Sequence, residues 1–422
     1  MKIVCFLICL LTTELVYSQF SKDSIYSHFV LKKRRTDLIQ NLYVKTIDVV
    51  FNQPFDTALE HQYEEACWAI SQLLINKPIV QKGFTSLLKN YTLLQPSTKR
   101  SLLEAIYANY PFQFVQPIEQ LSQKETIPKL FAMQIVYLQR AAILHAKKSK
   151  YISILQQRTN DWKNEEMIIQ LKQYIQTKET KTIQPLPAVK DWFIQQKNKG
   201  IKTVYSFQRW NRNYAGLAII QLENGQFARD KQGNLLVFEQ LARSASDLPF
   251  FITNGSTPQG IFSIQGIDVS TNLFIGPTPN LQLLMPFEND SLFYKNNLST
   301  TDYKQILPTS WQNHVPIYES FFAGKIGRTE IIAHGTTIDA ELFKEKSFYP
   351  FTPTLGCLCA KEIWNNATGK LEISHQLNLV NAFLQTEEKT GMLVVININN
   401  IPKPVTKLDI EKWVIAFENN KQ

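Results

Sequence analysis

Residues 331–360 read IIAHGTTIDAELFKEKSFYPFTPTLGCLCA and hold the side chains best suited to chemistry. An apolar stretch delivers His334-Gly335-Thr336, and Thr354-Leu355-Gly356-Cys357 follows further along. A free cysteine is only a few per cent thiolate at neutral pH, and a neighbouring imidazole raises that fraction. The pair predicts a thiol nucleophile, Cys357, with His334 as general base and then general acid. Gly356 ahead of the thiol permits a tight turn and close backbone approach. The N–H groups of Gly356 and Cys357 are then candidate donors to the oxyanion of a tetrahedral intermediate. Gly335, Thr336 and Thr354 are the supporting residues. On spacing alone, a buried cysteine beside a structural histidine accounts for the same residues.

The remaining titratable residues carry less. His375 is read as a helix cap or a second contact to the site, and His314 as loop surface. His28, His61 and His145 fall in helical segments, and no two-His-plus-carboxylate spacing points to a metal. No glycine-rich phosphate loop is present, so no cofactor is expected. Cys359 reads as a core neighbour of the site in preference to a resolving thiol, Cys67 as helix packing, and Lys32-Lys33-Arg34-Arg35 as a solvated helix face able to meet an anionic polymer.

The elements that must position the site follow from patterning. Of five cysteines, Cys5 and Cys9 lie in the segment Met1-Lys2, then the apolar run Ile3–Leu11, then Val16-Tyr17-Ser18. That run is far short of the ~20 residues that span a bilayer, so residues 1–18 read as a signal peptide. The mature chain is then exported and periplasmic, without a transmembrane segment. It keeps Cys67, Cys357 and Cys359, an odd number that leaves at least one thiol unpaired. The 422 residues are 44% hydrophobic with 26 Phe, which excludes a disordered or collagen-like chain. A formal charge of +9 favours an acidic partner without choosing one.

Residues 19–180 are read as an all-α domain, a bundle or solenoid-like stack. Its helices include His61–Asn76, a segment capped by Ser97, and one capped by Thr126. Residues 181–200 are read as a linker and short helix bearing Val189, Trp192 and Phe193. Residues 201–422 have strand texture: Leu217–Leu222 before the Asn224-Gly225 turn, Leu235–Leu241, Gly260–Ile264, Thr329–Ala333 and Gly391–Ile398. The stretch 277–311 reads as a long loop, a candidate lid. The fold class is α+β.

The C-terminal half resembles the L,D-transpeptidase catalytic domain. Thr257-Pro258-Gln259-Gly260-Ile261-Phe262-Ser263-Ile264 is similar to that family's T-P-x-G-x-F-x-I segment. His334-Gly335-Thr336 resembles its catalytic-histidine strand, and Thr354-Leu355-Gly356-Cys357 its nucleophile turn. The resemblance spans roughly residues 210–401. It implies a β-sandwich and a cysteine acyltransferase or peptidase acting on peptidoglycan stem peptides through a thioester, without cofactor, metal or nucleic acid. Two positions depart: Leu355 stands where the family usually has His, and Cys359 where Arg or Asn is common. Lys361, Lys325 and Arg328 are candidates for the missing cation. The departures also fit a catalytically degenerate peptidoglycan-binding or scaffolding protein. In either case the helical domain is a candidate site for a protein partner.

Overall fold

The computed structural model describes residues 20–144, 151–158, 162–180, 184–295 and 302–419. The expected signal peptide with Cys5 and Cys9, His145, and positions 181–183 of the linker lie outside them.

The N-terminal half is helical, as its patterning predicts. Its longer helices are Glu60–Leu73, Pro78–Lys89, Pro96–Asn109, Pro128–Leu144 and Glu166–Thr180. Three start on proline, whose fixed φ suits the first turn and whose missing N–H would have no partner there. Proline also moves one expected cap. The helix begins at Pro96 after Gln95, which puts Ser97 inside the first turn, with no capping side chain. Before Pro128 the capping is done by Glu125, whose Oε1 accepts the N–H groups of Thr126 and Ile127 at 2.9 and 3.0 Å.

Among the described residues the C-terminal half carries ten strands: β1 Thr203–Arg209, β2 Gly216–Gln221, β3 Phe238–Leu241, β4 Gly260–Asp268, β5 Asn280–Leu284, β6 Ala333–His334, β7 Leu358–Ala360, β8 Glu362–Trp364, β9 Leu371–Ser374 and β10 Gly391–Asn399. Eight close into a barrel in the order β1-β10-β4-β5-β6-β7-β3-β2, and β8 and β9 form a separate hairpin. The α+β class holds, but two separate facing sheets are not what the strands build. Short β6 and β7 bridge β5 to β3 and remove the free edges that an open sheet would expose. The expected strand Thr329–Ala333 shrinks to Ala333–His334, because Glu330 has φ +63°, a left-handed backbone that cannot extend a strand.

The short helix expected within 181–200 is present, and both it and the described N-terminus pack on the C-terminal half. Helix Lys190–Lys199 packs on the barrel through Trp192 and Phe193, with Phe193 4.9 Å from Tyr205 and 5.8 Å from Phe417 of helix Lys407–Asn419. At the other end, Ile25 and Val30 share a small core with Trp364, Leu371 and Leu377, so the described N-terminus docks on the β8–β9 hairpin. The stretch 277–311, expected as a long loop, is largely structured in its described residues. It supplies β5 and helices Asp290–Lys295 and Tyr303–Ile306, and buried Trp311 packs 5.8 Å from Trp192.

One barrel loop locks the halves together. Leu248, Phe251 and Ile252, between β3 and β4, are buried in the helical core, where Phe251 meets Tyr174 at 5.7 Å. Asn254 Nδ2 donates to Glu104 Oε2 at 3.0 Å, and Lys325 pairs with Glu166 at 2.9 Å. No helix among the described residues is long and apolar enough to cross a membrane. Because Phe251 belongs to both halves, Phe251→Ala should cost about 3–5 kcal/mol in urea denaturation. Helical and barrel probes should still unfold in one transition; separate transitions would mean the halves are independent.

Candidate active site

The thiol and imidazole reach one place through parallel strands. β6 pairs β7 in parallel with Ala333 opposite Leu358 and His334 opposite Cys359. Side chains alternate along a strand, so Ala333 and Leu358 share the core face while His334, Cys357 and Cys359 share the other. With strands about 4.8 Å apart and about 3.3 Å of rise per residue, the Cα atoms of His334 and Cys357 are roughly 8 Å apart on the diagonal. Cys359, directly opposite His334, is buried, with its thiol on the Ala360 carbonyl at 3.7 Å, in line with a core role. Cys67 is also free and buried.

The nucleophile turn is tied down from four sides. Thr354 Oγ1 accepts the Gly356 N–H at 3.0 Å and donates to the Cys357 carbonyl at 2.9 Å. Thr257, the threonine of the T-P-x-G segment, donates its hydroxyl to the Gly356 carbonyl at 2.8 Å. Ala245 N–H donates to the Thr354 carbonyl at 2.8 Å. Gly356 has φ +120°, and a Cβ there would sit 2.4 Å from Arg328 Nη2 and 2.7 Å from the Gly255 carbonyl. Only glycine fits. These bonds bear on one expectation: the Gly356 N–H is used by Thr354 Oγ1, which leaves the Cys357 N–H as the turn's remaining candidate donor to an oxyanion.

Arg328 is the cation at the site. Its Nη1 donates to the carbonyls of Phe250 and Ser256 and its Nη2 to that of Gly255 at 2.9 Å, all on the loop held by the helical core. The other two candidates are engaged elsewhere: Lys361 pairs with Glu239 at 3.6 Å and Lys325 with Glu166. His375 also serves Glu239, its Nδ1 accepting that residue's N–H at 3.0 Å, and Ser374 caps the helix it begins. His375 is therefore not a contact of the thiol. His314 is buried rather than loop surface.

The resting protonation states follow from burial. The half-buried Cys357 thiol is pushed up to about 11, chiefly by desolvation, against the Ile332 N–H and the Arg328 charge, which favour thiolate. Its S–H lies 3.6 Å from the Glu330 carbonyl, and Sγ accepts the Ile332 N–H at 3.5 Å. Burial lowers His334 to about 4, so the ring is neutral at pH 7. His334 Nδ1 bonds the Gly335 carbonyl, which can only accept, so Nδ1 carries the proton and Nε2 is the basic nitrogen. The site rests as neutral thiol and neutral imidazole, with no hydrogen bond between them.

Glu362 escaped the sequence reading. It is buried beneath the histidine loop, its Oε2 accepting the Thr336 N–H at 2.8 Å and its Oε1 the Ser374 hydroxyl at 2.6 Å. A Cβ on Gly335 would meet its carboxyl carbon at 2.2 Å, which explains that glycine. Thr336 is tied further: its carbonyl accepts from Trp364 Nε1 at 2.8 Å and its hydroxyl donates to the Phe274 carbonyl at 3.2 Å. Among the described residues no cluster of histidine, cysteine and carboxylate side chains could hold a metal. Comparisons with protein-family models, curated proteins and solved structures find no match to this chain.

Two pH responses follow. Alkylation of Cys357 by iodoacetamide should accelerate with pH through 9 and 10; a plateau near pH 7 would instead reveal a thiolate–imidazolium pair. Burial raises Glu362 from 4.5 to about 7. Between those values the native chain binds more protons than the unfolded chain, so this carboxyl lowers stability as pH rises. Glu362→Gln should remove up to about 3 kcal/mol of that loss, seen as a flatter melting temperature between pH 5 and 8 than in wild type. The opposite trend from His334 is common to both proteins and cancels. An unchanged slope would refute the role of Glu362.

Proposed function

We propose that this protein is an L,D-transpeptidase-like enzyme of the periplasm, a peptidoglycan L,D-transpeptidase or L,D-carboxypeptidase acting on stem peptides. The observation that carries this reading is the joining of its three sequence segments at one turn. Thr257 of the first bonds the Gly356 carbonyl of the third, and His334 of the second shares the strand face of Cys357.

The chemistry is acyl transfer. As Cys357 Sγ bonds to the carbonyl carbon of a diamino-acid residue, its proton passes to His334 Nε2, and the oxyanion is met by the Cys357 N–H. Collapse breaks the peptide C–N bond, and His334 returns the proton to the departing D-amino acid amine. The thioester is then cleaved by an amine of a second stem peptide, forming a cross-link, or by water, giving trimming; either way Cys357 regains its proton through His334. Because both partners rest neutral and apart, the substrate must bring thiol and imidazole into contact, which apo sites commonly require.

A second reading has an observation in its favour: the thiol is held as S–H by the Glu330 carbonyl, away from His334. A degenerate peptidoglycan-binding or scaffolding protein would tolerate that. Mass spectrometry of muropeptides incubated with wild type and Cys357→Ala separates the two. Loss of terminal D-Ala or new dimers with wild type only is the expected result. Unchanged tetrapeptides, together with sacculus pull-down equal in Cys357→Ser and wild type, would favour the scaffold.

A further inference from the structure

Glu362 stands one peptide away from the imidazole. The Gly335 carbonyl accepts from His334 Nδ1, and the Thr336 N–H donates to Glu362 Oε2 at 2.8 Å. That carbonyl and that N–H are the two ends of a single amide, joined by its resonance. A continuous chain therefore runs from imidazole through peptide to carboxyl. Its geometry is fixed from outside: Trp364 Nε1 donates to the Thr336 carbonyl at 2.8 Å, and the Gly335 position admits no side chain.

The carboxyl can change charge without moving the loop. Ser374 Oγ lies 2.6 Å from Oε1 and accepts the Leu377 N–H at 2.8 Å. A hydroxyl donates to a carboxylate or accepts from a carboxylic acid, so both states of Glu362 keep this contact. Oε2 accepts the Thr336 N–H in either state. The charged groups on the surrounding elements are engaged elsewhere: Lys361 and His375 with Glu239, Arg35 with Asp339, and Glu372 with Asn365. The Cys359 thiol, on β7, is kept protonated by burial.

We infer that Glu362 is a positioning residue of the acyl-transfer site, its ionised carboxylate raising the basicity of His334 through the Gly335–Thr336 peptide. This rests on the activity proposed above. When the thiol proton reaches Nε2, the ring becomes a cation whose Nδ1–H is held by the Gly335 oxygen. A carboxylate at the far end draws the Thr336 proton and leaves more negative charge on that oxygen, as in any polarised chain of hydrogen bonds. The imidazolium is stabilised, and the transition state with it. A neutral acid supplies little of this. Burial sets the change of state at about 7, so the effect switches on across the neutral range as pH rises.

Nuclear magnetic resonance of the full chain, carrying isotope-labelled histidine, tests this without any substrate. His334, one of 6 histidines, is assigned from the signal lost in His334→Asn. Its Nδ1–H resonance should move downfield as pH rises through about 7, although the ring itself stays neutral there. Glu362→Gln keeps an acceptor for Thr336 and mimics the neutral acid, so it should abolish that step. Ser374→Ala should move the step to higher pH, because the hydroxyl favours the carboxylate. A flat wild-type resonance, or the same step in Glu362→Gln, would overturn the inference. With a stem tetrapeptide, kcat of Glu362→Gln should fall about tenfold at about pH 8 with KM little changed, and match wild type at about pH 5.5. Equal kcat at both pH values also overturns it. A wild type that turns nothing over counts against the proposed activity, and the Nδ1–H step alone then decides the role of Glu362.

Discussion

Arg328 carries a full charge where almost no water reaches it, and the carbonyls of Phe250, Gly255 and Ser256 make that tolerable. Desolvation lowers the guanidinium to about 10, yet it remains charged at neutral pH. The same group presses against Gly356, which must have no side chain, and its field favours the thiolate of Cys357. Much of the site depends on this one buried ion. The carbonyls that hold it belong to a loop whose apolar residues are sunk in the helical core, so the position of the thiol is set partly by helices far from it in sequence.

The two catalytic candidates are positioned by unequal means. Cys357 sits on a turn braced by hydroxyl groups of Thr354 and Thr257, short side chains with few rotamers to lose. His334 stands on a two-residue strand whose following loop is held by a buried acid, Glu362, and by the Trp364 indole. A neutral Glu362 can donate as well as accept, and an ionised one would be costly so far from water. The histidine side of the site is thus the more sensitive to protonation, and the cysteine side to packing.

How much of this was legible in the sequence depends on range. The helices Glu60–Leu73 and Pro128–Leu144, the strands at 216–221 and 391–399, and the residues of the two turns follow from local periodicity, proline and glycine. The brief strands β6 and β7 do not, because two or three residues carry no period and their pairing spans the sequence between them. The stretch 277–311 misleads for a related reason: its Asn, Pro and aromatic residues look like loop, but Tyr303 and Trp311 are buried by partners such as Trp192, far away in the chain. Arg328 was one of three equal cations until the ion pairs of Lys325 and Lys361 separated them. Glu362 had no signal at all, since nothing local marks a carboxylate as buried.

The plug of Leu248, Phe251 and Ile252 has a consequence for how such a chain can be rearranged by evolution. A unit that ends in its own polar surface can be cut out, duplicated or fused elsewhere. Here the barrel half would leave with large apolar side chains stripped of cover, and the helical half would be left with a hole where they had been. Neither piece is a freely portable module. Recombination that preserves both must carry them together, and substitutions in helix Glu166–Thr180 that reshape the socket around Phe251 are answerable to selection on a thiol turn that they never touch.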